Sequence, residues 1–431
     1  MSGLLFGMLA LMLVLGLPIA VSLGLSLIIV LFAGDFTMLF PAVPQRMFTG
    51  VDNFTFMAIP FFILGGNLMA RGGMSQRMIH FVEILLRRRP AALANITTGA
   101  SLFFGSISGS NPATVAAIGG LTIPHMIKKG YPASLAGAIA AASGTIGVIL
   151  PPSIPMVTYA VVANVSVGTM FMSGIVPGIL FGLVIMQVHR FTCRKYEPAN
   201  KNAPRLTFKE FLAAFKDAFL ALLMPFMILG GIYGGVFTPT EAAAVSSVYA
   251  FIISFFVYKE LKPSDLFEVF VKSAKSSALI LFVISLSAPF GWFMTNQGIP
   301  GQIAGAVLSV FSNKIALLFM INIILLVIGL FLETQAVILL LTPILLPIGL
   351  SIGMSPIILG MIIVMNTSIG MTTPPLAVNV FVASSICGSR IEEITKAILP
   401  YLFVEIGVLL IFTYFPQILM FFPKLLGLSL F

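Results

Sequence analysis

Two regions of this 431-residue chain carry residues suited to binding rather than packing. The first joins FFGSISGSNPATVAAIGG (103–120) to GTIGVILPPSIP (144–155). The second joins GLFLETQ (329–335) to NTSIGMTTPPLAVN (366–379). Both are poor in formal charge and rich in hydroxyls, amides and helix-breaking Gly and Pro. Irregular backbone at membrane depth is tolerated only where it lines a cavity or is buried in protein. There its freed carbonyls, with neighbouring hydroxyls, can replace the water around a small cation. An oxygen cage without a full formal charge suits Na+, so the pattern predicts two cation sites, one per region. A substrate between the regions would meet Ser110, Asn111, Pro152, Ser153, Thr334, Thr373, Pro375 and Asn379. Amides at the helix starts would favour an anion.

The elements that must hold these residues are membrane helices. The chain is 59% hydrophobic and 9% charged, far below the roughly 25% charged of soluble domains. The apolar runs are long and do not alternate, which selects helices over a barrel. Net charge +9 does not signal nucleic acid, because Lys and Arg stand in short clusters between apolar runs. Two cysteines and three histidines give neither a disulfide framework nor metal-ligand spacing. No cleavable-signal pattern opens the chain. No Ser–His, His-rich or paired-aspartate constellation stands in the spans, so an enzyme is not expected.

Placing the basic clusters at 87–89, 128–129, 190–216, 259–275 and 390–396 inside fixes a topology. Residues 91–121 then enter and leave from the cytoplasmic side as a hairpin, and 315–350 form a hairpin entered from outside. Segments 133–162, 218–236, 277–296 and 397–416 cross outward; 170–189, 240–258 and 356–385 cross inward. Residues 3–33 read as too long for one straight span and too short for two, kinked at Pro18. Residues 36–50 read as interfacial.

The chain also repeats itself. Shifted by 223 positions (347 − 124), Pro124 meets Pro347, Gly130 meets Gly353, Gly137 meets Gly360 and Gly147 meets Gly370. Pro151–Pro152 meet Pro374–Pro375, and Pro177 meets Pro400. Residues that dictate backbone shape coincide, so the halves share a fold, and the charges orient them oppositely. Inverted repeats with broken helices mark secondary transporters. The expected fold is an all-α polytopic membrane protein, with two re-entrant hairpins and two discontinuous helices. The expected units are N-terminal scaffold (1–90), a first hairpin with its broken helix (91–165), further scaffold (166–314), the second hairpin with its broken helix (315–388) and a C-terminal scaffold helix (389–431). Among the acids, Glu333 could touch substrate, hold an ion or cap the helix after it. Glu241, three residues after Thr238, fits a capping box. Asp52 and Asn53 read as caps, Trp292 as packing, and Glu405 as a buried acid in want of a partner.

LFFGSISGSNPATVAAIG, IPHMIKKGYPASLAGAIAAASGTIGVILPPSIPMVTYAVVANVSVG, FMSGIVPGI, MTTPPLAVNVFV and ILPYLFVEIGVLL together resemble the large membrane subunit of tripartite ATP-independent periplasmic (TRAP) transporters. The resemblance implies an elevator-type fold, in which a transport domain carrying both hairpins slides against a scaffold in a bacterial inner membrane. It implies Na+-driven uptake of an organic acid, a sialic acid or a C4-dicarboxylate. It also implies two partners: a separate small four-helix membrane subunit and a periplasmic substrate-binding protein. Carried over by position, a first Na+ site resembles one of Ser106, Ser110, Gly147, Val148, Leu150 and Pro152. A second resembles one of Gly329, Gly370, Thr373 and Pro375, with Met371 or Thr372 beside them. The alternative is a Na+/anion symporter of another hairpin-bearing family that works alone.

Overall fold

The computed structural model describes residues 2–200, 206–311, 313–375, 377–425 and 427. Residues 201–205 of the basic loop and Leu376 of the second broken segment lie outside these. The described chain is helical throughout, and eight of its helices are long and apolar enough to cross a membrane.

It begins with α1 (Ser2–Val14) and α2 (Ile19–Ala33), which pack on each other. Residues 3–33, too long for one straight span and too short for two, thus form two short helices with the break before Pro18. Gly16, at φ 79°, takes the left-handed turn that Pro18 alone could not make. The amphipathic α3 (Ala42–Val51) lies against a later helix, where the Arg46 guanidinium sits 5.3 Å over the Trp292 ring. Asn53 Oδ1 accepts from Thr55 N at 2.9 Å and caps the turn before α4 (Ala58–Arg71). Asp52 instead ends α3 through its backbone.

After α5 (Met74–Leu86) the first hairpin descends as α6 (Ala92–Ser108) and returns as α7 (Asn111–Thr114). A π-helical turn then leads into α8 (Gly120–Lys128). The first broken helix is α9 (Ala133–Gly144) with α10 (Ile146–Ile149), then α11 (Ile154–Val162). The long α12 (Val167–Thr192), α13 (Phe208–Tyr233), α14 (Pro239–Ile252), α15 (Pro263–Asn296) and α16 (Ile299–Val310) follow. The second hairpin is α17 (Lys314–Gly329) and α18 (Thr334–Ser351), and its broken helix is α19 (Pro356–Gly370) and α20 (Val378–Cys387). The chain closes with α21 (Ile391–Tyr414) and α22 (Phe421–Leu425).

Element boundaries obey the sequence shift. The returning arms start at Asn111 and Thr334 (334 − 111 = 223) and end at Lys128 and Ser351 (351 − 128 = 223). The broken helices start at Ala133 and Pro356 (356 − 133 = 223). Thr145 and Ser368, themselves 223 apart, touch each other: Ser368 Oγ donates to Thr145 O at 2.7 Å. Equivalent residues in contact place the pseudo-two-fold axis between them.

Three of the five basic stretches assigned to one side, 87–89, 190–216 and 259–275, are drawn together by ion pairs. Arg71 pairs with Asp265 at 2.8 Å, Arg77 with Glu260 at 2.6 Å and Arg87 with Glu210 at 2.8 Å. These pairs draw the ends of α4, α5, α13 and α15 together.

Packing divides the helices differently from the expected units in one respect. The first layer is α1 to α4 with α13 to α15. Both α12 and α21 pack on each other and on α9 and α19, not on that layer. Segments 166–189 and 389–414 thus pack mainly with the helices that carry the hairpins, whereas the sequence reading groups them with the scaffold. Apolar helices of equal hydropathy carry no sequence mark of which neighbour they choose.

The Thr238–Glu241 capping box forms as its spacing predicts: Glu241 N donates to Thr238 Oγ1 at 3.3 Å, and Thr238 N to Glu241 Oε2 at 2.8 Å. Thr238→Ala is expected to cost about 1 kcal/mol of stability. A lowered melting temperature with unchanged transport would show this; impaired transport at unchanged stability would contradict a purely structural role.

Candidate functional site

At the first tip, Gly109 ends α6 at φ 57° and Ser110 follows in extended conformation (φ −146°, ψ 127°). The turn brings α6 against α10 with almost no space between backbones. A Cβ on Gly105 would stand 3.0 Å from Gly147 Cα, and one on Gly147 would stand 2.7 Å from both Ser110 O and Thr114 Oγ1. The regular ladder of the broken helix stops where Leu150 N donates to Ile146 O at 2.9 Å and resumes where Val157 N donates to Ser153 O at 3.2 Å. The stretch between presents its backbone to the tip: Ile154 N donates to Gly109 O at 3.4 Å, and Pro152 O approaches Gly109.

Of the first set of expected ligands, Ser106, Ser110, Gly147, Val148 and Pro152 come together around this crossing. The buried Ser106 hydroxyl donates to Phe103 O at 2.7 Å. The Leu150 side chain turns the other way, onto Gly178 of α12, so any contribution from Leu150 is its carbonyl.

The second region repeats the construction. A Cβ on Gly370 would stand 2.7 Å from the carbonyl carbon and oxygen of Gly329. Beyond Gly370 the chain leaves the helix in turns: Thr373 N donates to Gly370 O at 2.9 Å, and Thr373 Oγ1 to Ile369 O at 3.2 Å. Asn379 N donates to Met371 O at 3.0 Å, which holds the start of α20 against the broken segment. Here Pro375 is exposed, whereas Pro152 is buried.

The two tips face each other across a cavity of about 40 Å³ lined by Ser110, Asn111, Glu333, Thr334, Gln335 and Met371, with Ile280 of α15 on one side. Three of the expected substrate residues, Ser110, Asn111 and Thr334, line it. Ser153 and Asn379 do not. Ser153 is fully buried at the start of α11, and the Asn379 amide donates to Ala141 O at 3.2 Å inside the helix body. Their spacing from the breaks could not reveal which way they turn.

Asn111 is the joint of the whole assembly. Its Oδ1 accepts from Val148 N at 2.9 Å, and its Nδ2 donates to Ser368 Oγ at 2.7 Å. One side chain thus ties the first tip to its own broken helix and to the broken helix of the other repeat. Gln335 escaped the sequence reading, and Met371 stood in it only beside the second expected ion site. Met371 Sδ lies 3.4 Å from Thr334 Oγ1 and 3.7 Å from Asn111 Nδ2, between both tips. Glu333 precedes α18 without a side-chain cap and faces the cavity. Glu405 finds its partner in Thr145 Oγ1 at 2.9 Å.

Behind each tip lies a matching polar clasp. Thr98 Oγ1 meets Ser143 Oγ at 2.7 Å and His189 Nε2 at 2.8 Å. In the other repeat Asn366 Nδ2 donates to Asn322 Oδ1 at 2.9 Å, and Thr413 Oγ1 to the same oxygen at 3.3 Å. The shift is 223 for the broken helices (366 − 143) and 224 for the hairpin arms (322 − 98) and the following helices (413 − 189). The crossing glycines Gly105 and Gly329 share the shift of 224. A fixed shift of 223 pairs these residues one place out, which hides the clasps.

Comparison with known proteins agrees with this geometry. The DctM component of tripartite ATP-independent periplasmic transporters matches residues 6–418. The chain is 40% identical, over 95% of its length and 95% of the other's, to the C4-dicarboxylate TRAP transporter large permease of Pseudomonas aeruginosa. It is 35% identical, over 99% of both, to the sialic acid TRAP transporter large permease of Vibrio cholerae. It is 45% identical over 97% of its length to the isethionate TRAP transporter permease of Oleidesulfovibrio alaskensis, of which it spans 66%. In fold it is similar to the crystal structure of the Alcanivorax borkumensis YdaH transporter, at TM-score 0.62, 15% identity and 89% coverage of each chain. With matches that run nearly end to end, this multi-pass inner-membrane chain belongs to the DctM-component family of TRAP transporters.

Proposed function

We propose that the chain is the membrane path of a Na+-coupled importer of an organic acid. The reading rests above all on the paired crossings, Gly105 on Gly147 and Gly370 on Gly329, each pressing a hairpin tip onto a broken helix. Tight backbone crossings concentrate carbonyl oxygens, and these suit Na+. Ser106, Ser110, Gly147, Val148 and Pro152 would hold one ion, with Gly329, Gly370, Thr373 and Pro375 holding another. Filling both cages would fix the two tips, and fixed tips would shape the cavity between them for substrate. Each Na+ entering across 100 mV contributes about 2.3 kcal/mol, so two support steep accumulation.

The body formed by α6 to α12 and α17 to α21 would move against the layer of α1 to α4 and α13 to α15, with α5 and α16 as the joining arms. The relatives' names give C4-dicarboxylate, sialic acid and isethionate as substrates, all organic anions. A periplasmic binding protein would deliver the substrate, and a small membrane subunit would stand beside the layer of α1 to α4.

Proteoliposomes holding the chain with its neighbouring membrane subunit and binding protein should take up substrate with Na+ and stop when K+ replaces it. Uptake that continued in K+ would overturn the coupling. Na+-driven uptake that persisted without the binding protein would favour a symporter working alone.

A further inference from the structure

Against the first hairpin, on the side away from the inter-tip cavity, runs a groove of about 720 Å³. Its walls are α5, α6, α12 and α13 with Leu150 and Pro151 of the first broken segment, Phe422 and Leu425 of α22 cover part of it, and nearly every lining atom is apolar. Along α12 it extends from Met172 to Met186, 14 residues or about 21 Å at 1.5 Å each. That is longer than one leaflet of a hydrocarbon core of about 30 Å. This length and the apolar lining suit a single extended hydrocarbon chain.

One end is strongly basic. Leu85 and Leu86 line the groove immediately before Arg87, Arg88 and Arg89, and Met186 lines it one turn before Arg190. The two segments are held side by side: Ala91 N donates to Glu197 O at 2.8 Å, and Leu93 N to Glu197 Oε2 at 2.9 Å. Arg89, Arg190, Arg194 and Lys195 are exposed there. The cations at this end outnumber Glu83, Glu197 and Glu210, and Arg87 already pairs with Glu210.

We infer that this groove is a binding site for one acyl chain of an anionic glycerophospholipid from the cytoplasmic leaflet, its phosphate held by Arg89 and Arg190. Ser106, Leu150 and Pro151 form part of the groove wall. The bound chain therefore lies directly behind the first hairpin tip and its broken helix and closes them off from the bilayer.

The test is native mass spectrometry of the chain, purified with the membrane subunit that accompanies it, after exposure to phosphatidylglycerol or phosphatidylcholine. Phosphatidylglycerol should stay bound and phosphatidylcholine should be lost. Arg89→Gln with Arg190→Gln should weaken phosphatidylglycerol by about 25-fold, at about fivefold per basic residue. Ile179→Trp, placed on a half-open groove wall, should remove it while the melting temperature stays near wild type. If that variant fails to fold, Leu85→Trp fills the same groove. Equal retention of the two lipids, retention unchanged by the groove-filling variants, or no lipid on the two-subunit complex would each overturn the assignment. The last outcome would mean that protein occupies the groove.

Discussion

Gly370→Ala should lower Na+-driven uptake by about 5- to 150-fold, while Gly329→Ala, across the same contact, stays near wild type. A methyl on Gly370 would stand 2.7 Å from the Gly329 carbonyl group, which is backbone and cannot swing aside. Overpacking of this kind costs about 1–3 kcal/mol, and each 1.4 kcal/mol is tenfold in an equilibrium. A methyl on Gly329 would meet Gly370 Cα at 3.4 Å, an ordinary contact. The first repeat lacks this asymmetry. There both positions are tight, at 3.0 Å for Gly105 and 2.7 Å for Gly147, so alanine at either should impair uptake. Initial uptake rates at several Na+ concentrations separate the cases. The loss should appear as weakened Na+ dependence in protein that still inserts and melts cooperatively. Equal effects of Gly370→Ala and Gly329→Ala would show that the close approach is not what matters.

Asn111→Leu should abolish uptake and destabilise the body. Leucine keeps the volume but leaves the buried Val148 N–H without its acceptor and removes the donor to Ser368 Oγ. A buried polar group left unsatisfied costs about 1–3 kcal/mol. Asn111→Asp restores an acceptor for Val148 N but loses the donor to Ser368 and places a charge where Asn111 is fully buried. Uptake and melting temperature should therefore fall in both variants. Full uptake by Asn111→Leu would mean that the tie between the repeats is dispensable.

The parts of this fold legible in sequence are those set by backbone-dictating residues. Basic clusters announced both hairpins, and Gly and Pro at matching positions announced both breaks, because such residues make turns and interrupt helices. The capping box at Thr238 was legible for the same reason: it is local. What stayed hidden depends on side-chain direction or on the choice of neighbour. Ser153 and Asn379 flank the breaks as closely as Ser110 does, yet neither lines the cavity between the tips. Met371 was expected only beside the second ion site, yet a polar group from each tip meets its sulfur. Helices α12 and α21 read as scaffold because hydropathy does not say what a helix packs against. Residues 3–33 fitted neither one crossing nor two, because their length falls between them.

Equilibrium binding of radioactive Na+ to the purified chain, counted per molecule against excess K+, tests the paired cages most directly. Two ions per chain are expected, falling to one in Gly370→Ala and remaining two in Gly329→Ala. No saturable Na+ binding, or a count that neither Gly370→Ala nor Gly147→Ala alters, would contradict sodium coordination at these crossings.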